Sequence, residues 1–156
     1  MLILRETFEK MVTTTPISWS FIQEFSWDSP PRIVLGRSQE VDDKYLQHRT
    51  NLSENGITGY DNIMKLFVSN ATYVLEHNNF PYYMDEGISH YVVWINPMDD
   101  ETWKRNEIED LVTQELFEGD RESMRLSTVY FQNIPELRSI KAISHIHVFV
   151  ASSSLV

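Results

Sequence analysis

The sequence predicts an α+β single domain spanning residues 1–156, with a helical N-terminal half followed by a mainly antiparallel sheet that has one long helix inserted between its strands. Three observations predict it. Helix-spaced apolar residues occupy 38–70, and β-branched and aromatic runs occupy 88–95, 127–132 and 142–150. A charged, helix-period segment, 99–118, separates the first of those runs from the second. At 156 residues the chain holds one ordinary core, and no internal repeat or long linker divides it.

Taken in order, residues 1–40 are irregular and rich in aromatics. Thr13-Thr14-Thr15-Pro16 and Ser29-Pro30-Pro31 break any long helix there. Between them Trp19, Phe21, Ile22, Phe25 and Trp27 read as a short helix or turn that lays aromatic rings onto the body. Ser38 caps a helix to about Asn55, with Val41, Tyr45, Arg49 and Leu52 nearly four apart, and Gly56 ends it. Asp61 is the expected cap of a second helix carrying Ile63, Leu66 and Phe67 on one face. Residues 72–75 have strand character and begin a sheet core, 72–150. After a turn-rich stretch with Pro81 and Gly87 comes the clearest strand, 88–95, stopped by Asn96 and Pro97. Asp99 or Asp100 is the expected cap of the long helix, which buries Trp103, Ile108, Leu111, Val112, Leu116 and Phe117 and closes at Gly119. A strand over 127–132, a turn over 133–136, a short helical or irregular piece and a last strand over 142–150 complete the chain.

Charge narrows the function classes. With 13 basic residues against 23 acidic ones the formal charge is −10, a surface that repels nucleic-acid backbones. Lys104 with Arg105, and Arg138 with Lys141, make no basic patch, so a nucleic-acid polymer is not an expected partner. A small phosphorylated molecule or nucleotide needs only one or two cations and stays open, as does a protein partner. The absence of cysteine excludes disulfides and thiolate metal sites. No apolar run approaches the roughly 18 residues a membrane helix needs, and MLILRETFEKM has only four apolar residues before Arg5. The expectation is a cytoplasmic, acidic protein with no cofactor and no membrane contact.

The histidines carry the sharpest signal. Period-two geometry sends His145, His147 and Phe149 to one face of the last strand and Ile146, Val148 and Val150 to the other. In the earlier strand His90, Val92 and Trp94 share a face, opposite Tyr91, Val93 and Ile95. If the two strands lie close in one sheet, His90 approaches His145 and His147, and the aliphatic faces form the core. Imidazoles gathered this way can act as nucleophile and partner in phosphoryl transfer, bind an anion, or ligate a metal with Asp85 or Glu86 as a further ligand. The structural alternative is a half-buried sheet face whose histidines hydrogen-bond to backbone. Asp85 and Glu86 also read as a solvated turn before Gly87. Arg138 and Lys141 are the nearest cations for an anion, and Trp94 or Tyr82 could stack a base or sugar. His48 and His77 are expected at the surface.

Two stretches, NNFPYYMDEGISHYVVW (78–94) and STVYFQNIPELRSIKAISHIHVFV (127–150), resemble the fungal N-acetylglucosamine-induced protein family. The matching residues are Pro81, Tyr82, Asp85, His90, Val93, Trp94, Arg138, Ser139, His145, His147 and Val148. That resemblance implies a single-domain protein and no particular activity. The ending YFQN…SIKAISHIHVFV is also similar to the closing pattern of histidine-triad nucleotide hydrolases and transferases. It implies His147 as nucleophile on phosphorus, His145 as its neighbour, and Asn133 and Ser139 as phosphate contacts. Phe149 stands where the third polar triad residue belongs, so a ligand-binding version without turnover is equally implied.

The sequence therefore leads to a histidine-lined small-molecule pocket that binds, hydrolyses or transfers a nucleotide or sugar phosphate. His147 and His145 are its candidate catalytic residues. His90, Trp94, Tyr82, Asp85, Asn133, Arg138, Ser139 and Lys141 are its candidate ligand contacts. The alternative is a non-catalytic binding or regulatory protein that makes protein contacts.

Overall fold

Alternation in the β-branched runs builds a four-stranded antiparallel sheet in the computed structural model, which describes residues 12–138 and 140–156. The strands are β1 (Tyr73–His77), β2 (Ile88–Ile95), β3 (Thr128–Phe131) and β4 (His145–Ala151). They lie in the order β1-β2-β4-β3, so the last strand in sequence sits inside the sheet. Its register pairs Trp94 with His145, Val92 with His147 and His90 with Phe149 on β2, and Phe131 with His147 on β3. Among the described residues the α-helices are α1 (Trp19–Ile22), α2 (Gln39–Glu54), α3 (Gly59–Met64), α4 (Arg105–Phe117) and α5 (Arg121–Ser127). Helices preceding the sheet, and helices inserted between β2 and β3, make this an α+β fold.

Local chemistry explains where the helices depart from expectation. Ser38 caps α2 as expected, its hydroxyl accepting from the Val41 N–H at 3.3 Å. The cap of α3 is Thr58, whose Oγ1 accepts from the Asp61 N–H at 3.0 Å. Asp61 itself sits inside the first turn, where a carboxylate favours the positive end of the helix. Neither Asp99 nor Asp100 caps the long helix. Asn96 turns the chain first, accepting from the Met98 N–H at 3.1 Å and opening a 3-10 turn over Pro97–Asp99. The Thr102 and Trp103 N–H groups then close onto the Asp99 carbonyl, so α4 begins only at Arg105. Asp120 caps α5, a short helix not expected from the sequence, accepting from the Ser123 N–H at 3.1 Å.

Both faces of the sheet are covered. The aliphatic face, with Val93, Ile95, Ile146 and Val148, packs with Ile108 and Val112 of α4 and Met124 of α5. At about 25 cal/mol per Å² of apolar surface removed from water, such packing is the main stabilising contribution. The opposite face carries the histidines and is covered as well. Trp19 and Ile22 of α1, Leu35 and Tyr82 close over Phe131 and Phe149, while Ile63 of α3 and Ile143 close over Val92 and Trp94. The solvent-reachable hollow expected beside the histidines is filled by this aromatic and aliphatic layer. The N-terminal aromatics do lie on the body: Trp19, Phe21 and Phe25 on the histidine face, and Trp27 on the aliphatic face, stacked on Tyr130.

Candidate functional site: a buried imidazole chain beside an arginine

The pleat places His90, His145 and His147 on one face, and antiparallel pairing of β2 with β4 brings two of them into contact. His90 Nε2 lies 2.8 Å from His147 Nδ1. The rings are 2%, 6% and 4% exposed for His90, His147 and His145, so none of them works in bulk solvent. Tyr82 joins the group from the loop before β2. Its N–H donates to His90 Nδ1 at 3.3 Å, and its ring stacks on His147 with centroids 5.5 Å apart. From the turn after β3, Asn133 Nδ2 lies 3.1 Å from His147 Nε2 and 3.3 Å from the Tyr82 hydroxyl. Asn78 Nδ2 approaches His90 Nε2 at 3.4 Å, while its Oδ1 accepts from the Phe80 N–H at 2.9 Å.

The backbone decides the tautomer of His90. Because Nδ1 accepts the Tyr82 N–H, the ring proton of the neutral imidazole is on Nε2 and is directed at His147 Nδ1. Both lone-pair positions of the pair are then occupied, and His147 has a partner at each nitrogen. Burial keeps the chain neutral. It holds His90 down at about 3, with Arg37, His77 and His145 adding to the effect. It drives His147 well below 6.5, helped by the fields of His90, His145 and Arg37. The Tyr82 hydroxyl is pushed upward by the same burial, against the Asn133 hydrogen bond and the Arg37 charge.

His145 is held differently. Its Nδ1 lies 3.0 Å from the Ile143 carbonyl, which can only accept, so Nδ1 carries the proton and Nε2 the lone pair. Among the described residues no hydrogen bond reaches Nε2. Burial lowers the affinity of this ring for a second proton, and the Arg138 charge lowers it further, against the Ile143 bond. Trp94 lies against the ring at 4.7 Å between centroids and is itself fixed by a 2.9 Å bond from Nε1 to Glu76 Oε1. Half-buried Arg138 donates from Nε to the Asn133 carbonyl at 2.8 Å, and its two terminal nitrogens have no hydrogen-bond partner among the described residues. A neutral nitrogen lone pair in the field of a guanidinium is suited to a ligand that is both anionic and a proton donor.

Seven of the ten sequence-predicted residues come together here: His90, His145, His147, Tyr82, Trp94, Asn133 and Arg138. Asp85 does not. It sits in the turn before β2, its N–H donating to the Ile17 carbonyl at 2.9 Å and its own carbonyl accepting from Ile88 at 3.3 Å. Lys141 is exposed, and Ser139 lies outside the described residues. Among the described residues no group of three or more His, Cys, Asp or Glu could hold a metal ion, so His90, His145, His147 and Asp85 make no ligand shell. His77 is exposed and His48 rests half-buried on Phe80 at 5.1 Å between centroids.

Three participants were not foreseen: Arg37, Glu76 and Asn78. Arg37 is buried, donates to the Phe80 carbonyl at 3.0 Å and stands over the Tyr45 ring at 4.2 Å. Asn78-x-Phe80 is the spacing of a side chain bonding two residues ahead, a signal readable in the sequence. Glu76 shares a face with Val74 and, through the β1–β2 register, with Trp94, but only the pairing reveals it. An open cleft of ≈ 290 Å³ adjoins the far end of the chain, lined by Ser38, His77, Tyr82, Met84, Ser89 and His90 among others.

Comparison with known families finds a match over residues 18–151 to a model described as a protein of unknown function, DUF3605. A comparison with curated proteins finds no match. Among solved structures, one described as the crystal structure of HTC1 is similar at 23% identity and a TM-score of 0.57, over 87% of this chain and 85% of that one. At that identity the likeness speaks for the fold alone. No described helix is long and apolar enough to cross a membrane.

Proposed function

We propose, for a chain that belongs to the DUF3605 family of proteins of unknown function, that it binds a small phosphorylated molecule at the end of the histidine face. Arg138 is the anion contact and His145 is the reactive imidazole. What supports this is the lone pair of His145 Nε2, held in place by the Nδ1 bond to the Ile143 carbonyl and lying within the electrostatic reach of the Arg138 guanidinium. Arg138 pairs with phosphate oxygens through its terminal nitrogens. His145 Nε2 accepts a proton from a ligand hydroxyl or a water, or attacks phosphorus while the leaving oxygen takes the electron pair of the broken P–O bond. This exchanges the roles implied by the histidine-triad likeness: His147, with both nitrogens engaged, becomes part of the scaffold, and its neighbour becomes the reactive group. The likeness of 78–94 and 127–150 to the fungal N-acetylglucosamine-induced proteins makes an amino-sugar phosphate the first ligand to try, followed by nucleoside monophosphates.

A second reading, a non-catalytic binding or regulatory protein, is favoured by one observation. His90 and His147 are sealed under Tyr82, Phe131 and Phe149, where a polar chain specifies packing rather than turnover. The test is a thermal-shift panel of sugar phosphates and nucleotides on the wild type, Arg138→Gln and His145→Gln. A rise in Tm that both substitutions abolish supports the phosphate site. No rise with any member of the panel, or a rise that survives both substitutions, overturns it. Phosphate release from a bound ligand by the wild type alone separates turnover from binding.

A further inference from the structure

Asn133 touches both halves of the site. Its side chain meets His147 and Tyr82, and its main-chain carbonyl accepts from Arg138. The proton order runs outward from the backbone. The Tyr82 N–H fills His90 Nδ1, so His90 donates from Nε2 to His147 Nδ1. His147 is neutral and its Nδ1 is now an acceptor, so its own proton must be on Nε2. That nitrogen then needs an acceptor, and the atom opposite it belongs to Asn133, 3.1 Å away.

An asparagine amide keeps its shape when turned by 180°, and only its hydrogen bonds distinguish oxygen from nitrogen. With nitrogen toward His147 two donors face each other inside a sealed layer. With oxygen there, it accepts from His147 Nε2 and from the Tyr82 hydroxyl at once, and the donor–donor contact at His147 is removed. We infer that Asn133 is the positioning residue of this site. Its amide oxygen fixes the proton order of the buried imidazole chain, and its carbonyl oxygen anchors the Arg138 guanidinium, whose charge reaches His145. The claim about the guanidinium gains its meaning from the phosphate-binding reading above; the claim about proton order stands apart from it.

The experiment needs no ligand. Long-range ¹⁵N–¹H NMR of the full chain reads which ring nitrogen of each histidine is protonated, and the exchange rate of the Arg138 Nε–H reads whether its bond to Asn133 is intact. The expected wild-type pattern is Nε2–H on His90 and His147 and Nδ1–H on His145. In Asn133→Leu the His147 ring proton and the Arg138 Nε–H are expected to exchange at least about tenfold faster, as local protection is lost. Asn133→Asp keeps an acceptor at the same place and is expected to retain the wild-type pattern. Should Asn133→Leu fail to fold, the wild type and Asn133→Asp decide the matter. A wild-type His147 proton on Nδ1, or unchanged His147 and Arg138 signals in Asn133→Leu, overturns the inference. A panel that finds no phosphate ligand counts against the function proposed for His145, and the same spectra still read the proton order.

Discussion

His90 and His147 meet diagonally across the β2–β4 ladder. Their direct register partners are Phe149 and Val92, yet the two imidazole nitrogens lie 2.8 Å apart. Same-face diagonal neighbours are within reach of long side chains, and here the reach is used to join two neutral rings in a buried layer.

That neutrality gives a pH dependence with a definite sign. In the unfolded chain each histidine takes up a proton near pH 6.5, whereas folded His90 does so only near 3 and His145 and His147 also resist protonation. Between those values the unfolded state binds more protons, so stability is complete above about pH 6.5 and falls as the pH drops toward 3. His90 is expected to remove about 2 kcal/mol by pH 5, and His145 and His147 add losses of the same sign. Urea midpoints measured at pH 7.5 and pH 5 check this; equal midpoints would mean that the rings titrate normally.

His147→Ala and His145→Gln should separate scaffold from reactive group. The first opens a cavity and strands the His90 Nε2–H and the Asn133 amide, at a cost of about 2–4 kcal/mol. The second loses the Ile143 bond and part of the Trp94 contact, at a cost of about 1 kcal/mol. Chemical denaturation ranks them, and a larger loss for His145→Gln would reverse the assignment made here.

Trp94 and Glu76 are coupled through a single 2.9 Å bond. Trp94→Phe keeps an aromatic ring against His145 while removing the donor. A double-mutant cycle with Glu76→Gln is expected to show about 1 kcal/mol of coupling, and additive effects would show the bond to be idle.

Gly87 has φ +94° and its missing Cβ would stand 2.8 Å from Ser152 Oγ. Gly87→Ala therefore meets both backbone strain and a clash, and should destabilise by about 1–3 kcal/mol. Ser152→Ala in the same chain should recover the steric part alone, a difference that thermal melts of the two variants resolve.

How much of this was legible follows from which forces are local. A pleat sends alternate residues to opposite faces whatever surrounds it, so the shared face of His90, His145 and His147 could be read from spacing. Ser38 announced α2 because a cap acts within three residues. What covers a face is set by distant segments, and nothing in strand 145–151 says that Trp19, Ile22 and Tyr82 will close over it. The amide of Asn78 and the carboxylate of Glu76 entered the site only through the pairing of β1 with β2, which has no signature in either strand alone. Asp85 shows a local signal with two readings: the carboxylate could serve chemistry or a turn before Gly87, and the backbone uses its position for the turn.

Because β4 lies between β2 and β3, β1 and β2 can pair early, but β3 has no strand to join until residues 145–151 leave the ribosome. The pairings that complete the sheet are long in sequence separation, from Trp94 to His145 and from Ile88 to Ala151, and closing such loops slows folding. A nascent chain short of that strand holds two uncapped sheet edges and an unroofed aromatic layer, the condition in which chaperone capture or aggregation competes with folding. Synthesis thus delivers the strand that joins β2 to β3 after both of its neighbours.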